Sequence, residues 1–255
     1  MMKANALFFA TAALIGLSGA VAEAAPAKTG ATNIVLVHGA LVDGSSWRGV
    51  YEILRKDGYR VSIVQEPLTS LDDDVAATKR VLDLQDGPVV LVGHSYGGTI
   101  ITVAGADPKV KALVYVAALQ PDAGESTGEL ASRMPPASPN NDIKSTTDGY
   151  LYLDRSKFAD YFPDLPKAQA AFMAASQVPV AGAAFGAKVT VAAWHDKPSY
   201  AILATHDRQL SPDLAHWMYK RSGAAVTEIK ASHLVYVSQP RAVAKMIEQA
   251  ARAAK

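Results

Sequence analysis

Short apolar runs alternate with amphipathic stretches along most of the chain. Asn33–Val37 (NIVLV) is a β-branched run that stops at His38-Gly39. Ser45–Lys56 then carries apolar positions at Trp47, Val50, Tyr51 and Leu54, the spacing of one helix face. Ser45 or Ser46 is placed to cap it, and Gly58 to follow its end. Tyr59–Val64 predicts a second strand. Leu71–Leu84 predicts a second helix, with Asp72, Asp73 and Asp74 at its electropositive start. Val89–Val92 (VVLV) is apolar throughout, as expected of a strand covered on both faces. Helix follows from about Tyr96, and strand again at Ala112–Ala117. After a long interruption the rhythm resumes with strand at Ser199–Thr205, helix at Pro212–Arg221, strand at Ala225–Ile229 and helix at Arg241–Ala253.

Strands of four to six residues between helical stretches predict βαβ units and a mostly parallel, doubly wound α/β sheet. Ligands on such sheets bind beyond the carboxyl ends of the strands. The interruption, about residues 120–190, holds Pro121, Pro135, Pro136, Pro139, Pro163, Pro166 and Pro179. It also brings aromatics such as Tyr150, Tyr161, Phe162 and Phe172. No sheet pattern is legible there. A segment of that length is too long for an ordinary loop and predicts an inserted cap over the active edge.

The N-terminus reads as an address. Lys3 precedes the apolar run Ala6–Leu17, and Ala22-Glu23-Ala24 offers small residues for cleavage, the layout of a secretory signal peptide over residues 1–24. The run is short for a membrane span, which needs about 20 apolar residues. The expected location is therefore the periplasm or the exterior, with 25–255 as a single domain and Ala25–Thr32 as its lead-in. Composition then removes several alternatives. Lys plus Arg is 25 against 24 Asp plus Glu, for a net charge of +1, so no basic excess points to nucleic acid. With 49% hydrophobic residues the chain can build a large core. With no cysteine there is neither a disulfide nor a thiolate nucleophile.

The chemistry collects at three strand ends. Gly93-His94-Ser95-Tyr96-Gly97 is a G-x-S-x-G pattern directly after an apolar strand and before a helix. The pattern alone arises by chance in a chain this long about 0.1 times; its setting makes it specific. A sharp strand-to-helix turn lifts the Ser95 hydroxyl above the sheet, and the helix start offers N–H groups to developing negative charge. A serine needs a base, and the base needs an orienting carboxylate. In the expected order Ser, acid, His, Asp207 follows the strand ending at Thr205, and His233 follows the one ending near Ile229. Ser95 is thus the candidate nucleophile, His233 the base and Asp207 the acid. Asp122, after the strand ending near Ala117, is the rival acid. His94, His195, His206 and His216 fit structural roles better. Two backbone N–H groups, of Ala40 in the loop after the first strand and of Tyr96 after the nucleophile, are placed to hold an oxyanion. Gly39 lets that loop turn in, and His38 orders it.

VLVHGALVDGSSW, VVLVGHSYGG, ATHDRQLSP and ASHLVYVSQP together resemble the α/β-hydrolase superfamily, specifically the small bacterial esterase-like hydrolases akin to plant methyl esterases and hydroxynitrile lyases. The likeness covers about Asn33–Ala253 apart from the cap. It implies a sheet of eight strands or slightly fewer, a helical cap and cofactor-free serine hydrolysis. It carries nucleophile, acid and base onto Ser95, Asp207 and His233, and the oxyanion donors onto Ala40 and Tyr96. Serine at position 95 argues against members with an aspartate nucleophile. The expected function is an exported carboxylic-ester hydrolase acting on a small-molecule ester, without metal, organic cofactor, nucleic acid or lasting membrane insertion. Lactone, amide or C–C hydrolysis and perhydrolysis use the same groups, and a ligand-sensing protein with the same pocket is the non-enzymatic alternative. No G-x-G-x-x-G follows the first strand, so a dinucleotide enzyme is not supported.

Overall fold

The computed structural model describes residues 30–135 and 141–254; the expected leader over residues 1–24 and the prolines at 136 and 139 lie outside them. The frame runs β1 (Asn33–Val37), α1 (Arg48–Lys56), β2 (Arg60–Ile63), α2 (Leu71–Asp83), β3 (Val89–His94), α3 (Gly97–Ala104) and β4 (Val110–Val116). After the cap come β8 (Ser199–Ala204), α8 (Pro212–Ser222), β9 (Ala225–Ile229), α9 (Val235–Ser238) and α10 (Pro240–Ala253). The six strands are parallel in the order β2-β1-β3-β4-β8-β9. Alternate β1 side chains go to opposite faces. Ile34 and Leu36 join one buried cluster with Val50, Leu54, Val243 and Ile247; Val35 and Val37 join the other with Val75, Ile100 and Leu214. Helices therefore cover both faces, which is why these strands read as continuous apolar runs.

Three local details differ from the sequence expectations. The helix expected from Ser45 begins as a 3₁₀ turn over Gly44–Trp47, and its cap is the Asp43 side chain accepting from the Ser45 N–H at 2.7 Å, not a serine. Among the described residues the main sheet has six strands, against the eight or slightly fewer that the resemblance implies. The cap, expected to be helical, also contains a small antiparallel sheet. Its elements are α4 (Thr127–Arg133), β5 (Ile143–Ser145), β6 (Tyr150–Leu153), α5 (Phe158–Tyr161), α6 (Lys167–Ser176), β7 (Val180–Ala181) and α7 (Gly182–Gly186), with strand order β5-β6-β7. Those strands span two to four residues and are largely unburied, so they leave no apolar run to read. The cap sits on both cores, through Phe158 and Phe162 on one side and Val180 and Ala184 on the other.

The order reverses direction between β1 and β3, making a crevice at their carboxyl ends. The loop carrying Ala40 and the turn carrying Ser95 are therefore neighbours.

Candidate functional site

The turn after β3 is held by close packing. A Cβ on Gly93 would lie 2.5 Å from the Gly97 carbonyl oxygen, one on Gly97 2.5 Å from that of His38, and one on Gly98 2.1 Å from that of Leu119. The glycines are needed for space; the left-handed backbone falls on Ser95 itself, at φ 53°. For a non-glycine residue that conformation costs about 1–2 kcal/mol. The Ser95 carbonyl is fixed by the N–H groups of Gly98 and Leu119, at 2.9 and 3.1 Å. Across the crevice, Gly39 is likewise a close-approach residue. Its Cβ would sit 2.8 Å from Ser95 Cβ, and the turn is made instead by Leu41 at φ 62°.

Ser95, His233 and Asp207 come together although they leave three different strands. Ser95 Oγ is 2.8 Å from His233 Nε2, and His233 Nδ1 is 2.6 Å from Asp207 Oδ2. The other Asp207 oxygen accepts the N–H groups of Gln209 and Leu210 at 2.7 and 2.9 Å, which fixes the carboxylate plane. A carboxylate only accepts, so Nδ1 of His233 carries the hydrogen and Nε2 is left to accept from the serine hydroxyl. Asp122 is elsewhere: its Oδ1 pairs with His195 Nε2 at 2.9 Å on the surface. Burial opposes ionisation of Asp122, but the bonds from His195 and the Ala123 N–H hold its carboxyl below the usual range. His216 bonds Glu228 at the surface, and His206 is exposed.

Ala40 and Tyr96 line the same cavity as Ser95, and among the described residues their N–H groups donate to no protein acceptor. Beneath them lies a buried polar layer, of which the sequence announced only His38, as the residue that orders the loop. His38 Nδ1 donates to the Gly39 carbonyl at 2.8 Å, and its Nε2 is 2.5 Å from Glu66 Oε2. Burial pushes the Glu66 carboxyl up; at His38 burial is outweighed by the adjacent Glu66 and the Gly39 carbonyl, and the imidazole is raised as well. The Tyr96 hydroxyl donates to Asp74 Oδ2 at 2.9 Å, while Asp74 Oδ1 accepts the Leu68 N–H at 2.8 Å. Asp74 is thus more than a dipole-matching residue at the start of α2. It anchors the residue after the candidate nucleophile.

Burial pushes the Asp74 carboxyl up to about 6 from an ordinary value of 3.8. A carboxyl raised by folding stabilises the protein most below its unfolded value, and that contribution is lost as pH rises through the folded one. Asp74→Asn cannot ionise. Its melting temperature relative to the parent should therefore be higher at about pH 8 than at about pH 5, by a few degrees at roughly 2–4 °C per kcal/mol for this size. Thermal unfolding followed by circular dichroism checks this; a difference constant with pH counts against the assignment.

His94 is also used, in a way its place inside the motif did not reveal. Burial drives its imidazole well below the usual range, so it is neutral. Its Nε2 lies 3.1 Å from the His233 carbonyl oxygen and must be the donor, and the two rings sit 4.7 Å apart.

The cavity over Ser95 has a volume of about 200 Å³. Leu41 and Leu119 line it from the sheet edge, and Leu151, Tyr161, Phe162 and Phe185 from the cap. Among the described residues, no acidic or cationic side chain lines it beyond the histidines His94 and His233. Among the described residues, no group of three or more acidic or histidine side chains could hold a metal ion, and no helix is long and apolar enough to cross a membrane.

The model of the alpha/beta hydrolase family matches residues 34–246. A carbendazim hydrolyzing esterase of Nocardioides sp. (strain SG-4G) is 38% identical over 124 residues, 42% of this chain and 49% of that esterase. Methylesterase 8 of Arabidopsis thaliana is 29% identical over 123 residues, 41% of this chain and 45% of that protein. Each of these two relatives is matched over about half of its length. The crystal structure of a pyrethroid hydrolase from Sphingobium faniae JZ-2 superposes with a TM-score of 0.75 at 25% identity, covering 88% of this chain and 98% of that one. The six-stranded parallel sheet, the glycine-packed turn at Ser95 and the family match agree: this chain belongs to the alpha/beta hydrolase family and is similar to its esterases.

Proposed function

We propose that this protein is an exported serine hydrolase that cleaves small, uncharged carboxylic esters through an acyl-enzyme. The observation that carries the reading is the continuous chain Ser95 Oγ, His233, Asp207 at 2.8 and 2.6 Å, opening on an apolar cavity. In the first half-reaction Ser95 Oγ attacks the ester carbonyl while His233 Nε2 takes its proton. The carbonyl oxygen becomes negative and accepts from the Ala40 and Tyr96 N–H groups. Asp207 stabilises the imidazolium. His233 then gives the proton to the departing alkoxide, and the C–O bond breaks. In the second half-reaction His233 removes a proton from water, which attacks the acyl carbon; the bond from that carbon to Ser95 Oγ breaks, His233 returns the proton to Oγ, and the acid leaves. The N-terminal address supports export.

The test is covalent trapping. A fluorophosphonate should add one phosphonyl group per chain, and peptide mass spectrometry should locate it on Ser95; no adduct, or one elsewhere, would overturn the reading. Substrate charge gives a second measurement. Among the described residues the lining offers no lysine or arginine to a carboxylate, and burying an unpaired charge is costly. The kcat/KM for p-nitrophenyl hemisuccinate should therefore fall at least about 10-fold below that for p-nitrophenyl butyrate, equivalent to about 1.4 kcal/mol. Equal values would refute a neutral-substrate site.

A further inference from the structure

The loop that brings His233 to Ser95 has a long way to go. In the sheet order β3-β4-β8-β9, the end of β9 stands three strand spacings from that of β3, about 14 Å. The residues from Lys230 to His233 span at most about 13–14 Å when fully extended. A segment beyond the strand ends makes no ladder of its own, so its polar groups must find partners elsewhere. Here each partner comes from a different part of the chain. Gln239 Nε2 donates to the Lys230 carbonyl at 2.7 Å, the His206 N–H to that of Ala231 at 3.1 Å, and His94 Nε2 to that of His233 at 3.1 Å. The Ser232 N–H, next to the base, goes to the cap: it donates to Asp164 Oδ2 at 2.9 Å, and the Ser232 hydroxyl donates to Asp164 Oδ1.

We propose that Asp164 is a positioning residue for His233, a cap carboxylate that pins the loop through Ser232 and so holds the imidazole on Ser95. Its own placement is firm. It lies in Pro163-Asp164-Leu165-Pro166 between α5 and α6, where Leu165 and Phe162 are buried in the core and the Leu165 N–H donates to the Phe162 carbonyl at 3.1 Å. The flanking prolines restrict the turn further. Phe162 also lines the substrate cavity. One short turn therefore meets both the cavity over Ser95 and the loop of the base. Burial opposes ionisation of Asp164, but the Ser232 hydroxyl and N–H outweigh it and hold the carboxyl below the usual range. The clamp is charged at neutral pH, and a charge-assisted bond is the stronger kind.

The inference rests on Ser95 and His233 being nucleophile and base, and the experiment separates the two. Diisopropyl fluorophosphate is small, and its rate of reaction with Ser95 reports how well His233 activates the hydroxyl. Asp164→Ala should slow that reaction about 10- to 100-fold, the scale of a misplaced catalytic group. In ester turnover the loss should fall on kcat with KM little changed. Asp164→Asn should restore most of the rate, because its carbonyl oxygen can still accept the Ser232 N–H. A purely structural loss would lower the melting temperature and leave the labelling rate of the folded protein unchanged. An Asp164→Ala protein that labels as fast as the parent, or loses only KM, overturns the role of Asp164 and leaves the ester-hydrolase reading intact. A parent chain that does not label overturns that reading itself. If Asp164→Ala does not fold, Asp164→Leu decides, because it fills the same space but accepts neither the Ser232 N–H nor its hydroxyl: slower labelling with intact circular dichroism supports the clamp, and an unchanged rate overturns it.

Discussion

Ser95→Ala is expected to lower the kcat for p-nitrophenyl acetate by about 10⁶-fold, the loss seen when the nucleophile of a triad is removed, while the protein stays folded. The fold should survive because, among the described residues, the hydroxyl bonds only His233 Nε2 and ties no other element in place. Alanine at φ 53° bears the same strain as serine, so stability should barely change. Ser95→Gly sharpens the test. Glycine relieves the left-handed backbone, so this variant should be as inactive as Ser95→Ala yet more stable by about 1 kcal/mol, or roughly 2–4 °C in melting temperature. Such a pair of results would show that the turn stores strain in order to present a hydroxyl. Undiminished turnover by Ser95→Ala, purified away from host esterases, would remove Ser95 from the chemistry.

How much of this was legible beforehand follows from the range over which each contact acts. The limits of β1 and β9 could be read residue for residue, because each is a compact run bounded by polar or small residues. The family resemblance followed from segments whose chemistry is local, such as the glycines around Ser95. The cap is legible as an insertion over the active edge, and its helices only through the family resemblance. Its strands are two to four residues long, and their pairing depends on partners as distant as Leu151 and Val180. Asp164 carried no signal at all. A carboxylate between two prolines reads as a surface turn, and its partner Ser232 lies 68 positions away. His94 was visible as a motif residue, but its bond to the His233 carbonyl depends on the β9 loop crossing the sheet edge. Asp74 was read for the helix end it starts, and its bond to the Tyr96 hydroxyl depends on how α2 and α3 pack.

Asp207→Asn should cost about 10⁴-fold in kcat, as expected when the base is left in the wrong tautomer, with the local fold intact. The two oxygens of Asp207 have separate duties. Oδ1 takes the N–H groups of Gln209 and Leu210, and the asparagine carbonyl oxygen can keep both. That bonding forces the new NH₂ group toward His233 Nδ1, where Oδ2 now lies at 2.6 Å. An NH₂ group only donates, so Nδ1 must become the acceptor and the ring hydrogen moves to Nε2. Nε2–H then points at Ser95 Oγ and cannot take its proton. The variant should bind substrate normally, giving a KM near that of the parent, and should label slowly with fluorophosphonate. Asp122→Asn is the matched control. Its carboxylate engages exposed His195 on the surface, so turnover should stay within about 2-fold of the parent, inside the usual range for a surface substitution. If the losses were reversed, with Asp122→Asn inactive and Asp207→Asn active, the acid would lie after β4 and the loop after β8 would be structural only.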